Sequence, residues 1–195
     1  MMWEERYAGG DLIYGDRPNV FFKQQLDLLP PGRILLPADG QGRNGIYAAG
    51  KGWEVVCFDI SQSARQKALE LAVLKKLTID YILSGWEEIV LQDESFDAIA
   101  LIYAHTPDDK RRIFHRKMAG LLKQGGTILL EAFSKEQLKF ASGGPGNENM
   151  LYSVEDIQQD FNMLRKISVE KVTITLEEGR LHKGDASVIR LCGKK

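Results

Sequence analysis

The chain has 195 residues, 44% apolar and 27% charged, with a formal net charge of −1 at pH 7. That is the balance of a globular domain long enough to bury a core without disulfides or structural metals. It excludes a disordered chain and leaves no basic surplus for nucleic acid or an anionic membrane surface.

Cys57 and Cys192 sit in apolar, strand-like runs, as buried thiols of a reducing compartment do. The start, Met1-Met2-Trp3-Glu4-Glu5-Arg6, is too acidic for a signal peptide. No apolar run approaches the ~20 residues that span a bilayer. One cytoplasmic domain over residues 1–195 is expected, a monomer or weak homodimer with no nucleic-acid or membrane partner.

Residues 1–18 mix aromatics, glycine and charge without a period, and read as an irregular arm or lid. Asn19 then caps a helix from Val20 to about Leu29, which Pro30-Pro31-Gly32 ends. Strand 1 is Ile34 to Leu36, followed by a glycine-rich turn from Asp39 to Gly45 and a short helix from Asn44 to Ala49. Strand 2 is Val55 to Phe58, and Ser61 caps a helix running to about Lys76. Strand 3 lies near Ile79 to Leu83 and strand 4 over Phe96 to Tyr103. Thr106-Pro107-Asp108-Asp109 starts a helix to Leu122, with Thr106 as its cap. Strand 5 is Thr127 to Phe133.

Short apolar strands alternating with helices predict a parallel sheet covered on both faces. The last third differs: a loop over 141–149, a helix opened by Ser153 and Asp156, then β-rich runs over Val169 to Leu176 and Ala186 to Cys192. Too few residues separate those runs for a helical crossover, so they should pair antiparallel at a sheet edge. The fold expected is a three-layer, doubly wound (Rossmann-like) α/β fold. Its seven-stranded sheet is mostly parallel and closes in a C-terminal antiparallel hairpin.

In such a sheet the ligand lies beyond the carboxyl ends of the strands. Gly40, Gly42 and Gly45 follow strand 1, where absent β-carbons let the backbone approach a ligand and the next helix presents free N–H groups. Asp59 ends strand 2, nineteen residues after Gly40, placed to accept hydrogen bonds from both hydroxyls of a ribose. Together they indicate a nucleoside-bearing cofactor. The spacing also matches the dinucleotide fingerprint, so a nicotinamide-dependent oxidoreductase stays an alternative. Three features favour S-adenosylmethionine instead. The turn comes late, after an aromatic arm; the chain has no second mononucleotide half; and the sheet ends in a hairpin.

The runs ILLPADGQGRNGIYAAGKGWEVVCFDIS, FDAIALIYAHTP and LLKQGGTILLEAF resemble class I S-adenosylmethionine-dependent methyltransferases. The similarity is to the small tellurite-resistance-type branch and extends over nearly the whole chain. It implies methyl transfer to a small-molecule nucleophile by in-line displacement, without a metal. It further implies that Ala38, Gly40 and Gly42 lie against the methionine and ribose. Asp59 would hold the ribose hydroxyls and Ile60 would pack on the adenine. Gly85 and Trp86 would border the adenine edge, and Tyr103 would lie near the methionine. Arg6 and Tyr14 would meet its carboxylate.

Three positions depart from the family. Leu36 and Ala38 stand where members usually carry an acid and a glycine, with Asp39 the candidate replacement for the acid. Gly85 stands where many have an acid or amide. A chain that binds the cofactor without catalysis is the alternative these departures leave. His105, after strand 4, is the candidate general base. His182 reads as part of a solvent-facing turn, and His115 as a surface residue of a basic, solvated helix. The loop 141–149 is a possible substrate loop.

Overall fold

The computed structural model describes residues 2–9 and 11–195; Met1 and Gly10 of the arm lie outside the described residues. The framework is one seven-stranded sheet in the order β3-β2-β1-β4-β5-β7-β6. Its strands are β1 (Arg33–Pro37), β2 (Glu54–Asp59), β3 (Asp80–Leu83), β4 (Phe96–Ile102), β5 (Leu122–Phe133), β6 (Arg165–Glu177) and β7 (Lys183–Lys194). The first five are mutually parallel, whereas β7 runs antiparallel to both β5 and β6. This is the mostly parallel sheet with a terminal hairpin that the sequence predicts.

Alternation along the inner strands divides the core into two layers. Leu35, Val56, Ile99, Leu101 and Ile128 point to one face, where they meet Phe114 and Met118 of α5 (Asp108–Leu121) and Phe161 just past α6 (Val154–Asp160). Ile34, Leu36, Val55, Cys57 and Ala100 point to the other. There they meet Phe22 of α2 (Val20–Leu26), Ile46 of α3 (Arg43–Gly50) and Ala68 of α4 (Gln62–Leu74). Strands buried on both faces need unbroken apolar runs, and Ile34-Leu35-Leu36 supplies one. No helix among the described residues is long and apolar enough to cross a membrane.

Several local expectations change. The arm is not wholly irregular: Met2–Tyr7 forms a helix, α1, which buries Tyr7. α2 stops at Leu26, and α4 at Leu74. Thr106 does not cap α5: Pro107 holds the cap position, with no side-chain cap bond, and Thr106 lies one residue before it, its N–H donating to the Tyr152 hydroxyl at 2.8 Å. The turn between β6 and β7 is shorter than the runs implied, spanning 178–182.

Nor is α5 simply solvated. Arg111 is buried and donates to Asp160 at 2.7 Å and to Asp156 at 3.1 Å. His115, expected at the surface, is fully buried with Nδ1 2.8 Å from Asp160. The acids that draw these two basic side chains inward lie on α6, 45 residues away or more, beyond any local pattern.

Candidate active site

The carboxyl ends of the parallel strands open into one cavity of about 650 Å³. Arg6, Tyr14, Ala38, Gly40, Asp59, Ile60, Gly85, Trp86, Tyr103 and His105 all line it. Gly42 is the one candidate outside the lining. It has φ +83°, and a Cβ there would stand 2.7 Å from Ala68 Cβ, so this glycine serves the packing of α3 on α4.

The end beside β1 and β2 is built largely from backbone. Asp59 Oδ2 accepts from Gly40 N at 3.1 Å and Oδ1 from Ser61 N at 3.0 Å. Backbone donors thus hold the carboxylate, an acceptor of the kind a vicinal diol requires. Burial raises the pKa of Asp59, and the backbone hydrogen bonds from Ser61, Gly40 and Ile60 oppose that rise. Ile60, half-exposed at the rim, offers an apolar face to a flat ring.

Ala38 keeps the left-handed conformation, φ +53°, that a glycine would adopt without strain; for alanine this costs roughly 1–2 kcal/mol. Asp39, the candidate replacement for the acid missing at Leu36, also lines the cavity; its Oδ2 accepts from Gly45 N at 3.0 Å and Cys57 Sγ at 3.4 Å, and burial pushes its pKa up to about 7. Leu36 itself is buried in the layer beneath.

The arm closes over this end. Tyr7 sits so near the turn that a Cβ on Gly40 would lie 2.6 Å from its hydroxyl oxygen. Glu4 caps α4 in trans, accepting from Ser61 Oγ at 2.6 Å, Ser63 Oγ at 2.5 Å and Ser63 N at 3.2 Å. Those bonds, the Ser61 one foremost, hold its pKa down to about 2, and a carboxylate at a helix N-terminus is further favoured by the helix dipole. Arg6 donates to the Tyr14 hydroxyl at 3.2 Å. On the far rim, Lys117 of α5 donates to the Trp86 carbonyl at 2.7 Å, fixing the segment after β3.

The other end is built from side chains. Tyr103, left-handed at φ +54°, is pinned twice to Glu131: its N–H donates to the carbonyl at 2.8 Å and its hydroxyl to Oε1 at 2.9 Å. The strain falls where a side chain is presented to the cavity. His105, the expected base, has both ring nitrogens engaged. Nδ1 donates to the Met150 carbonyl at 2.7 Å, and Nε2 accepts from Phe133 N at 3.1 Å. No lone pair remains for a substrate proton, so the geometry assigns His105 to holding the loop and not to base catalysis. Burial lowers its pKa to about 4.

His182 takes the opposite course from its expected solvent-facing turn. It is buried, lines the cavity and packs against the rings of Tyr14, Tyr103 and Phe133 at 4.5, 4.8 and 5.3 Å between centroids. Its Nδ1 lies 3.4 Å from Glu178 Oε2, which also accepts from Arg43 at 2.8 Å. Burial opposes ionisation of Glu178, but His182 and Arg43 prevail and bring its pKa down to about 2. The turn is drawn inward at Gly179, where a Cβ would stand 2.3 Å from the Ile13 carbonyl oxygen, and Arg180 N donates to that oxygen at 2.9 Å. Gly144, Pro145, Gly146 and Asn147 of the loop complete this end. The sequence signal for His182 and Glu178 was their i,i+4 spacing; their inward direction depends on the arm.

A family model described as a methyltransferase domain matches residues 34–126. Among solved structures, TehB from Haemophilus influenzae is similar at 14% identity and TM-score 0.78, covering 99% of this chain and 67% of its own. A SAM-dependent methyltransferase from Methanosarcina mazei is similar at 15% identity and TM-score 0.68, covering 91% and 98%. A third is a protein solved in work on the conversion of a disulfide bond into a thioacetal group during echinomycin biosynthesis. It is similar at 16% identity and TM-score 0.77, covering 100% and 90%. No curated protein matches in sequence. At these identities the structural likeness is one of fold.

The matched segment is just under half of the chain; with the fold, it likens the chain to class I methyltransferases, whose cofactor is S-adenosylmethionine. Its fold also resembles that of TehB, in line with the resemblance that the glycine turn carries.

Proposed function

We propose that the chain transfers a methyl group from S-adenosylmethionine to a small-molecule nucleophile by in-line displacement. It would act as one domain with the arm as lid and 141–149 as acceptor loop. The observation that carries this reading is the single cavity. It joins a diol-ready carboxylate, Asp59, to a separate end walled by His182, Tyr103 and the loop. The two unpaired cysteines suit a reducing cytoplasm.

The residues fit the cofactor part by part. Asp59 holds the ribose hydroxyls, Ile60, Gly85 and Trp86 border the adenine, and the backbone from Ala38 to Gly40 follows the methionine. Arg6 and Tyr14 meet its carboxylate. The bound cofactor supplies an electrophilic methyl on a positively charged sulfonium. The protein's part is to align the acceptor and exclude water, a service worth roughly 7–11 kcal/mol at best. Tyr103, rigidly held, orients the acceptor. His182 supplies a base where the acceptor carries a proton. Burial keeps its ring neutral near pH 7, Glu178 holds Nδ1, and Nε2 makes no hydrogen bond among the described residues.

Calorimetric titration with S-adenosylhomocysteine, run beside the nicotinamide dinucleotides, tests the cofactor. Micromolar binding of the homocysteine product alone is expected. Asp59→Ala should weaken it by roughly 100-fold, the loss of two charge-assisted hydrogen bonds of about 1.5 kcal/mol each. Binding of a dinucleotide instead, or full affinity in Asp59→Ala, would overturn the reading. Transfer of radiolabelled methyl to a panel of thiols, phenols, amines and chalcogen oxyanions then identifies the acceptor class.

A further inference from the structure

We propose that Asn19 is a positioning residue of the active site. Its amide clamps the carboxylates of Glu131 and Glu178 to one another, and so fixes the Tyr103 hydroxyl and the His182 ring at the acceptor end. The inference rests on the acceptor role proposed above for those two side chains.

Asn19 is buried, and every polar atom of its side chain is used. Nδ2 donates to Glu131 Oε1 at 2.6 Å and to Glu178 Oε1 at 2.9 Å. Oδ1 accepts from Phe22 N at 2.9 Å, capping α2, and the backbone N–H donates to Asn44 Oδ1 at 2.9 Å. The cap alone does not require asparagine, since serine, threonine or aspartate would serve. Among these four only asparagine also carries two N–H donors. The residue type is therefore explained by the clamp.

The clamp is also a charge device. Glu131 and Glu178 belong to separate elements, and each has an arginine on its other oxygen: Arg190 Nε on Glu131 at 2.7 Å, Arg43 on Glu178 at 2.8 Å. Two buried carboxylates meeting at one point repel unless donors stand between them. Asn19 is the donor between them. From Glu131 the chain of bonds continues to Tyr103, and from Glu178 to His182. The charged or titratable groups around His182 are Glu178 on its own turn, Arg43 from α3, Glu131 and Tyr103 from the strand ends, and Tyr14 from the arm. His105 acts at longer range.

The test is nitrogen NMR of protein labelled in its three histidine rings, with His182 assigned through His182→Gln. In the parent protein His182 should appear as a single tautomer protonated on Nδ1. Asn19→Ser keeps the cap oxygen and loses both amide donors. It should convert His182 to a mixture of tautomers while His105 and His115, outside the clamp, keep their signals. Should Asn19→Ser fail to fold, Asn19→Asp keeps both length and cap. It sets a third carboxylate at the junction and should raise the His182 pKa by about one pH unit, a tenfold change in its protonation equilibrium. Parent-like His182 signals in a folded variant would overturn the proposal. S-adenosylhomocysteine titration of the same samples separates the two readings. Failure of the parent to bind it would refute the cofactor assignment, while the ring signals decide the clamp.

Discussion

The two ends of the cavity are made by different means. At the end beside β1 and β2, the carboxylate on the cavity is held by main-chain donors, and the side chains of the arm only press over it. Asp59 is held by Gly40 and Ser61, and the turn is shaped by positive φ and by what presses against it. At the acceptor end the contacts are long-range and side-chain. Asn19 reaches Glu131 and Glu178 across 112 and 159 residues. The first design tolerates sequence change, because backbone groups persist through substitution. The second depends on each named side chain, because a lost partner leaves a buried charge.

The largest effect that would sharpen this contrast is on folding. Glu131→Ala leaves the Arg190 guanidinium, the Asn19 amide and the Tyr103 hydroxyl without their acceptor. It should destabilise the protein by about 3 kcal/mol, lowering the melting temperature by roughly 6–12 °C. A melting temperature equal to the parent's would show that the acceptor end is as tolerant as the cofactor end.

Acid should strike the same end next. Burial holds His105 neutral in the fold down to about pH 4, whereas an unfolded histidine takes up its proton near 6.5. The unfolded chain therefore binds the extra proton between those values. The contribution of His105 should be complete above pH 6.5 and decline by about 2–3 kcal/mol as pH falls to 4, read as the difference between the parent and His105→Asn, because Asp39, raised to about 7, shifts stability the opposite way in both proteins. His182 and His115, also lowered by burial, add to the decline in the same direction. Denaturant melts across this range, with His105→Asn as the flatter control, measure it. Parallel profiles for the parent and His105→Asn would contradict the buried-neutral arrangement.

The smallest effect is expected at the lid. Glu4→Ala removes the bonds that seat α1 on α4. It should raise the dissociation rate of S-adenosylhomocysteine a few-fold in stopped-flow traces, with little change in melting temperature. An unchanged rate would mean that α1 is not the gate.

This division also explains what was legible in the sequence. The sheet, its two layers and the closing hairpin follow from apolar periodicity and turn residues, which are local signals. So does Asp59, a carboxylate at a strand end a fixed distance after a glycine turn. His105 misled for a physical reason: a strand end specifies where a histidine sits and not what its nitrogens bond to, and Met150 and Phe133 claim both. His182 and His115 were missed because the groups that draw them inward lie far along the chain. Asn19 was legible as a cap and illegible as a clamp, since Glu131 and Glu178 become its neighbours only after folding.

The contact of Gly179 with the Ile13 carbonyl stitches the arm to the last turn of the chain. During synthesis the residues of β1 to β5 emerge before that turn, so the five parallel strands can pair before the wall that carries Glu178 and His182 is in place. Bonds across so many residues close late, because their loops are the longest to order. The β1–β2 end of the cavity can thus form early, and the wall that carries His182 forms only once the hairpin turn has docked on the arm.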